Sequence, residues 1–335
     1  MSGAPSRSFR SDPAEVQSID AAPAVARGKR DLLRARDLSA EDFHAILDLA
    51  RRFKLALKRR EPTPELRGKS LAMIFEKPSL RTRATFELGM AQLGGHAVYL
   101  PPADIGLGRR ETIADIARNL ERWFDLIMAR VFRQETLEEF ARHCRAPIIN
   151  ALSDEEHPCQ ALADYMTLVE RFDSLRGVRL TFIGDGNNVC HSLMALGARL
   201  GVRMTVCGPK GFEPSAEVVR AHADEWGRSG GALHHTYDPI EAVREADAVY
   251  TDVWTSMGQE DEAEARRRAF EPYQVNAALL ARAPGEALVM HDLPARRGEE
   301  ITDEVLDGSR CIAFDQAENR LHAQKGLMVF LDASR

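Results

Sequence analysis

Short apolar runs alternate along the chain with longer stretches whose apolar residues recur every three or four places. Ser39, with Asp42 three positions on, makes a capping-box-like start. Phe43, Ile46, Leu47, Ala50 and Phe53 then mark one face of a helix reaching about Arg60. SLAMIFE (70–76) reads as a buried strand and GHAVYL (95–100) as a second. Between them Phe86, Met90 and Leu93 share a helical face that ends at Gly94-Gly95. TIADIARNLERW predicts a helix, LIMARVF a strand, and APIINAL a further strand leading into SDEEHPCQ. The second half repeats the alternation. RLTFIGDGNN is a strand and tight turn, SLMALGARLG a helix, RMTVCGP a strand and SAEVVRAHADEWG a helix. ADAVYTDVW and ALVMHDLP complete the strands, and EDEAEARRR (260–268) reads as a solvated helix without a ligand.

Strands alternating with helices predict parallel sheets covered on both faces. The expected fold class is α/β, with two doubly wound parallel-sheet domains joined by long helices. The expected boundaries are an N-terminal extension (1–28), a first domain (29–157), a joining helix PCQALADYMTLVERF (158–172), a second domain (173–311), and a closing helix (312–335) that packs back on the first domain. Parallel sheets bind ligands at the carboxyl ends of their strands. Every suggestive cluster lies at such an end, which places the site in the cleft between the domains.

Composition narrows the class. A chain of 335 residues, 44% hydrophobic, suits two domains with proper cores. A net charge of -6 argues against nucleic acid or an acidic membrane as the main partner. Cys144, Cys159, Cys190, Cys207 and Cys311 are scattered and form no CxxC pair, which fits free thiols in a reducing compartment. No zinc-type spacing appears among the histidines. No apolar run approaches the roughly 20 residues a membrane span needs. Residues 1–28, rich in Ala, Ser, Pro and Arg, read as disordered. Asp12, Glu15 and Asp20 argue against a transit peptide there, and the chain reads as cytoplasmic.

KPSLRTRATFE (77–87) concentrates chemistry. Ser79 is a good N-cap, and the first N–H groups of the following helix, with the positive end of its dipole, make an anion site. Arg81 and Arg83 add planar donors suited to phosphate, and Thr82 a hydroxyl. Taken alone, a capped helix with solvated arginines is an equally good reading. The stretch has companions, however. Arg130 sits inside MARVF, His157 and Gln160 open a helix with Pro158 at its first position, and Arg320 ends AENR. Alone, His157 reads as a structural histidine and Arg320 as a surface charge.

In order, S-x-R-T-R, R-x-F, HPxQ, DGNN, DVWxSMG, H-x-LP and AENR resemble the carbamoyltransferases, and the forms GDGNN and DVWTSMGQE resemble their ornithine branch. The resemblance covers roughly residues 30 to 333, and the set is specific although each piece alone is weak. It implies carbamoyl phosphate as ligand. Ser79, Leu80, Arg81 and Thr82, with backbone N–H groups, would hold the phosphate. Arg130 would bridge phosphate and carbonyl oxygen, His157 polarise that oxygen, Gln160 hold the carbamoyl amide, and Arg320 approach the same group. Fixed donors aimed at charge developing on that oxygen and on the leaving phosphate suit such a transfer, and so does holding two substrates in contact. No metal or organic cofactor is implied.

GDGNN could pass for a dinucleotide fingerprint, but the third glycine position holds Val189. The resemblance instead makes Asn188 an amide donor to a carboxylate, Asp252 an acceptor for an α-ammonium, and Ser256 and the Met257 N–H the rest of an amino-acid clamp, with Leu293 close by. Gly258 would let that loop close. Ornithine fits this clamp best. Leu80 resembles members that use acylated ornithine, which carry a proline-rich loop; between 215 and 271 this chain has only Pro239. MHDLPARRG (290–298) departs from the pattern, since ornithine enzymes usually read HCLP. Asp292 thus stands where a cysteine lies beside the reacting amine. It could be a general base, a binding group for another amine, or the mark of a weakened paralogue. In PPADIGLGRRE, Gly106 occupies a place where related enzymes reach into a neighbouring subunit. The resemblance implies a trimer, with Arg109 and Arg110 as candidates for that contact, and a plain surface role is an equally good reading of both. The expected function is carbamoyl transfer to ornithine, giving citrulline and phosphate. The alternatives are transfer to acylated ornithine, lysine or putrescine, or a quiet carbamoyl-phosphate-binding protein.

Overall fold

The computed structural model describes residues 29–107, 110–256 and 260–334, so residues 1–28, Arg109, Met257 and Gly258 lie outside the described residues. The first sheet contains β1 (Ser70–Phe75), β2 (His96–Leu100), β3 (Leu126–Arg130) and β4 (Ile148–Leu152), in the order β2-β1-β3-β4. The second contains β5 (Arg179–Ile183), β6 (Arg203–Cys207), β7 (Ala232–Thr236), β8 (Ala248–Thr251) and β9 (Leu288–His291), in the order β7-β6-β5-β8-β9. Every pairing is parallel. β1 and β3 are central and almost wholly buried. Such strands, covered on both faces, read as unbroken apolar runs.

Several elements differ from the sequence reading, among them the helix Gln134–His143, which it did not predict. β7 is an edge strand whose residues are mostly exposed, so no apolar run announces it. SAEVVRAHADEWG forms two helices, Ala216–Ala221 and Ala223–Ser229, because His222 between them takes φ -111 and ψ 2.

The first long helix, Ala40–Arg59, is closed by the reciprocal box at its start. Ser39 Oγ accepts from the Asp42 N–H at 3.1 Å, and the Asp42 carboxylate accepts from the Ser39 N–H at 3.0 Å. The helix Pro158–Phe172 is buried from Pro158 through Val169, since it runs between other helices rather than over the surface. The last helix, Ala313–Asp332, packs against Ala40–Arg59, Leu80–Gln92 and Pro158–Phe172. Gly326 permits that approach, because a Cβ there would stand 2.5 Å from the Ile46 carbonyl oxygen. The charged run at 260–268 is not a freely solvated helix. Arg266, in the helix Ala263–Phe270, is buried, pairs with Asp185 at 2.7 Å and Glu262 at 3.0 Å, and lies over the Phe212 ring. A run of charges hides the one residue per turn that faces inward. Among the described residues no helix is long and apolar enough to cross a membrane.

Candidate functional site

The topology of each sheet creates a crevice. After β1 the chain builds β2 on one side and then β3 on the other, so β1 and β3 part at their carboxyl ends. Phe75 pairs with Arg130 there, and Ser79 follows β1 directly. In the second sheet the same reversal lies between β5 and β8. Thr251 pairs with His291, so Asp252 and Asp292 leave neighbouring strands side by side. The two crevices face one another across a cleft of about 340 Å³. Ser79, Leu80, Arg81, Thr82, Arg130 and His157 line its first-domain side. Asn188, Asp252, Ser256, Asp292 and Leu293 line the other, and Arg320 enters from the last helix. Gln160 is buried just behind Arg320, and Met257 lies outside the described residues.

The first-domain side is built for an anion. Ser79 caps the helix Leu80–Gln92, its Oγ accepting from the Thr82 N–H at 3.3 Å and donating to Thr82 Oγ1 at 3.1 Å. Thr82 Oγ1 also accepts from Arg320 Nη2 at 3.1 Å. Leu80, 81% exposed, stands at the rim and offers its backbone only. Arg83 does not join Arg81. Successive residues turn by about 100°, so residues two apart face opposite sides of a helix. Arg83 pairs with Glu87 at 3.2 Å and lies over the Tyr99 ring at 4.0 Å.

Arg81, Arg130 and Arg320 are close enough to repel one another. Burial, and then the Arg320 charge, lower the Arg130 pKa to about 10, which leaves it a cation at neutral pH. Burial and the same three guanidiniums hold the His157 imidazole well below its ordinary value, so the ring is neutral. Arg130 Nε and His157 Nδ1 are buried without a hydrogen-bond partner. Orphaned buried groups of this kind point to a ligand. His157 is held from behind: its N–H donates to Ser192 Oγ at 2.8 Å, and that hydroxyl donates to Glu156 at 3.0 Å. Burial pushes the Glu156 carboxyl up to about 7.

The facing side carries acids. Asp252 accepts from Asn187 Nδ2 and from the Val253 N–H, both at 2.7 Å. Burial, then the Asp292 charge, raise the Asp252 pKa well above the usual carboxylate range. Burial works the same way on Asp292, but the hydrogen bond and charge of His291, then a hydrogen bond from Asp252 and the Arg320 charge, outweigh it and bring that pKa below the usual carboxylate value. The pair therefore shares one proton. Asp292 Oδ1 is buried without a hydrogen-bond partner. Beneath it, His291 Nε2 lies 3.0 Å from Glu300, and Nδ1 lies 3.4 Å from Asp292. Burial disfavours charge on this ring, yet the two acids would hold a proton on it to about pH 10. The Leu293 N–H opposes that, since it donates to Nδ1 at 2.9 Å and needs a lone pair there. Asp252, His291 and Asp292 can bring one ligand atom each within 4.8 Å of one another. With both imidazole nitrogens engaged, a cation there would find only the carboxylates.

The GDGNN turn serves packing and capping. A Cβ on Gly186 would lie 2.2 Å from the Pro214 nitrogen. Asn187 Oδ1 accepts from the Val189 and Cys190 N–H groups at 3.0 and 3.1 Å, the donors that a dinucleotide's phosphates would need. Asn188 lines the cleft, and its amide donates to Ser153 O at 2.6 Å, tying the second domain to the first. The sequence reading missed Asn187 as the group that orients Asp252. Its only signal was position, as the residue before a helix.

Two family profiles match the chain: the carbamoyl-P binding domain of aspartate/ornithine carbamoyltransferase over residues 30–170, and the Asp/Orn binding domain over 176–331. The protein belongs to this family. An ornithine carbamoyltransferase of Pyrococcus horikoshii is 51% identical over 302 residues, 90% of this chain and 95% of that one. An anabolic ornithine carbamoyltransferase of Pyrococcus furiosus is 50% identical over 307 residues, 92% of this chain and 98% of that one. The solved ornithine carbamoyltransferase structure from Pyrococcus furiosus superposes with a TM-score of 0.88, covering 91% of this chain and 97% of that one at 50% identity. Within the aspartate/ornithine carbamoyltransferase family, the crevice of the first sheet falls in the carbamoyl-phosphate module and the acid pair in the amino-acid module.

Proposed function

We propose that the protein transfers the carbamoyl group of carbamoyl phosphate to the side-chain amine of L-ornithine, giving L-citrulline and phosphate. One observation carries this reading: three guanidiniums and a neutral buried imidazole converge at a capped helix start, directly across a cleft from a carboxylate pair. Arg81, the Ser79–Thr82 turn and Arg320 hold the phosphate dianion. Arg130 spans phosphate and carbonyl, and His157 donates a neutral hydrogen bond to the carbonyl oxygen. Gln160 accepts from the carbamoyl amide. The amine nitrogen attacks the carbonyl carbon, the carbon–oxygen bond to phosphate breaks, and its electron pair leaves with the phosphate. The amine proton goes to solvent through the acid pair. Binding energy is concentrated where charge develops, on the carbonyl oxygen and the leaving phosphate.

On the amine side, Asp252 accepts the α-ammonium, and Asn188, Ser256 and the Met257 N–H hold the α-carboxylate. Asp292, with Leu293 beside it, keeps its charge and holds the side-chain amine against the carbonyl. The family resemblance, with Leu80 exposed at the rim, supports a trimer with sites near subunit boundaries. A cytoplasmic enzyme of arginine biosynthesis completes the reading. Incubation with carbamoyl phosphate and a panel of amines tests it. Phosphate release with ornithine, and not with lysine, putrescine or acetylornithine, is expected. Release with another amine alone would make Asp292 a binding group for that amine, and no release with any would leave a binding protein. Sedimentation should find a trimer or a multiple of it.

A further inference from the structure

Carbamoyl phosphate and acetyl phosphate have the same shape and charge and differ in one group, an amide –NH₂ against a methyl. Telling them apart requires a hydrogen-bond acceptor at that group, held so that it cannot turn into a donor. The side chain placed there, Gln160, is an amide with one end of each kind, and a 180° turn about its last bond would exchange them.

Its surroundings forbid the turn. Arg320 Nη1 donates to Gln160 Oε1 at 2.5 Å, and Gln160 Nε2 donates to Asp164 Oδ1 at 2.7 Å. A guanidinium has no acceptor, and Asp164 Oδ1 accepts here from two donors at once. A turned amide would set –NH₂ against the guanidinium and C=O against the carboxylate. Asp164 lies wholly buried one helical turn below Gln160, and it is itself fixed. Gln316 Nε2 donates to Asp164 Oδ1 at 2.8 Å, and the Tyr250 hydroxyl donates to Oδ2 at 3.0 Å. Gln316 is fixed in turn by accepting from the His291 N–H at 2.9 Å. Asp164 lies one helical turn deeper than Gln160 and, among the described residues, its carboxylate hydrogen-bonds only to Gln160, Gln316 and Tyr250, so any effect it has on the ligand passes through Gln160.

We infer that Asp164 is the positioning residue that sets the orientation of the Gln160 amide, and through it the preference for a carbamoyl over an acetyl donor. This rests on the carbamoyl-transfer reading. With Arg320 on one lone pair of Oε1 and Asp164 on the –NH₂, the second lone pair remains for the carbamoyl N–H. An acetyl methyl at the same place leaves that lone pair buried and unpaired.

The test compares the affinity of the full chain for carbamoyl phosphate with that for acetyl phosphate, by calorimetry or by competition in the transfer assay. Asp164→Ala is expected to reduce the carbamoyl-to-acetyl ratio by roughly fivefold, the range of one neutral hydrogen bond. Asp164→Asn, whose carbonyl oxygen replaces Oδ1 as acceptor, should keep the ratio within about twofold. A purely structural role for Asp164 would weaken both ligands equally and leave the ratio alone. Should the alanine variant not fold, Asp164→Leu combined with Gln316→Leu and Tyr250→Phe removes the buried donors together with their acceptor, and the ratio should fall as before. A ratio unchanged in a folded variant lacking the Asp164 acceptor overturns the inference. Failure of the wild-type chain to bind carbamoyl phosphate at all would instead overturn the transfer reading, so the two failures are distinct.

Discussion

Replacing Asp292 by asparagine separates holding an amine from activating it. Asp252 and Asp292 share one proton, so the pair carries one negative charge. In Asp292→Asn, Asp252 loses its like-charged neighbour and ionises alone. The total charge is unchanged but moves one strand away from the guanidiniums. The side-chain ammonium then loses a charged hydrogen bond to the Oδ1 that now stands unpartnered. Such a bond contributes about 1.5–3 kcal/mol, so kcat/KM for ornithine should fall by roughly 10- to 150-fold. The pH profile moves as well. A carboxylate within about 4–6 Å raises an ammonium pKa by about 1–3 units, and only the free amine attacks. Because Asp252 keeps one negative charge close by, removing Asp292 lowers that pKa by less than this, and the rising alkaline limb of the rate should shift to lower pH by about one unit or less. Carbamoyl phosphate, held on the far side by Arg81, Arg130 and Arg320, should bind within a few-fold of wild type. Citrulline formation between about pH 6 and 10, with calorimetry for carbamoyl phosphate, measures all three quantities. An unmoved alkaline limb with kcat/KM within threefold of wild type would falsify the assignment of Asp292 to the amine.

Two further outcomes are expected. Arg81→Ala should weaken carbamoyl phosphate binding by about 100-fold or more in calorimetry, through lost charged hydrogen bonds. Arg83→Ala, two residues on but turned to Glu87 and Tyr99, should change it less than about twofold, and equal losses would refute the placement of the two side chains. Burial raises Glu156 from 4.5 to about 7, so between those pH values the folded chain binds a proton that the unfolded chain does not. Its contribution to stability is therefore present below pH 4.5 and lost as pH rises through 7, at up to about 1.4 kcal/mol per pH unit. Melting temperatures of Glu156→Gln should fall less from pH 5 to 8 than those of wild type, and parallel curves would show that Glu156 does not titrate in this window.

Much of the architecture was legible in the chain. Parallel strands buried on both faces need continuous apolar runs, and SLAMIFE, LIMARVF and RLTFIG supply them. Helix starts announced themselves through Ser39, Ser79 and the His157-Pro158 pair, because capping is local chemistry. β7 gave no such signal, since an edge strand is not obliged to be apolar.

The order of motifs along the chain determined which chemical groups the protein owns: guanidiniums beside a capped helix, a histidine and glutamine one turn apart, and two aspartates ending strands. Which of them act together was decided only by the tertiary structure. Arg81 and Arg83 are equivalent in composition, and the turn of one helix sends a single one into the cleft. Asp252 and Asp292 are forty residues apart, and the register of β8 against β9 makes them one acid pair sharing one proton. Asp164 has no motif of its own and gains its role from Gln160, Gln316 and Tyr250, drawn from three separate elements. The physical reason is common to all three. Local structure follows from backbone hydrogen bonding within a few residues, whereas proton sharing, like-charge repulsion and amide orientation depend on distances of a few ångströms that packing alone sets.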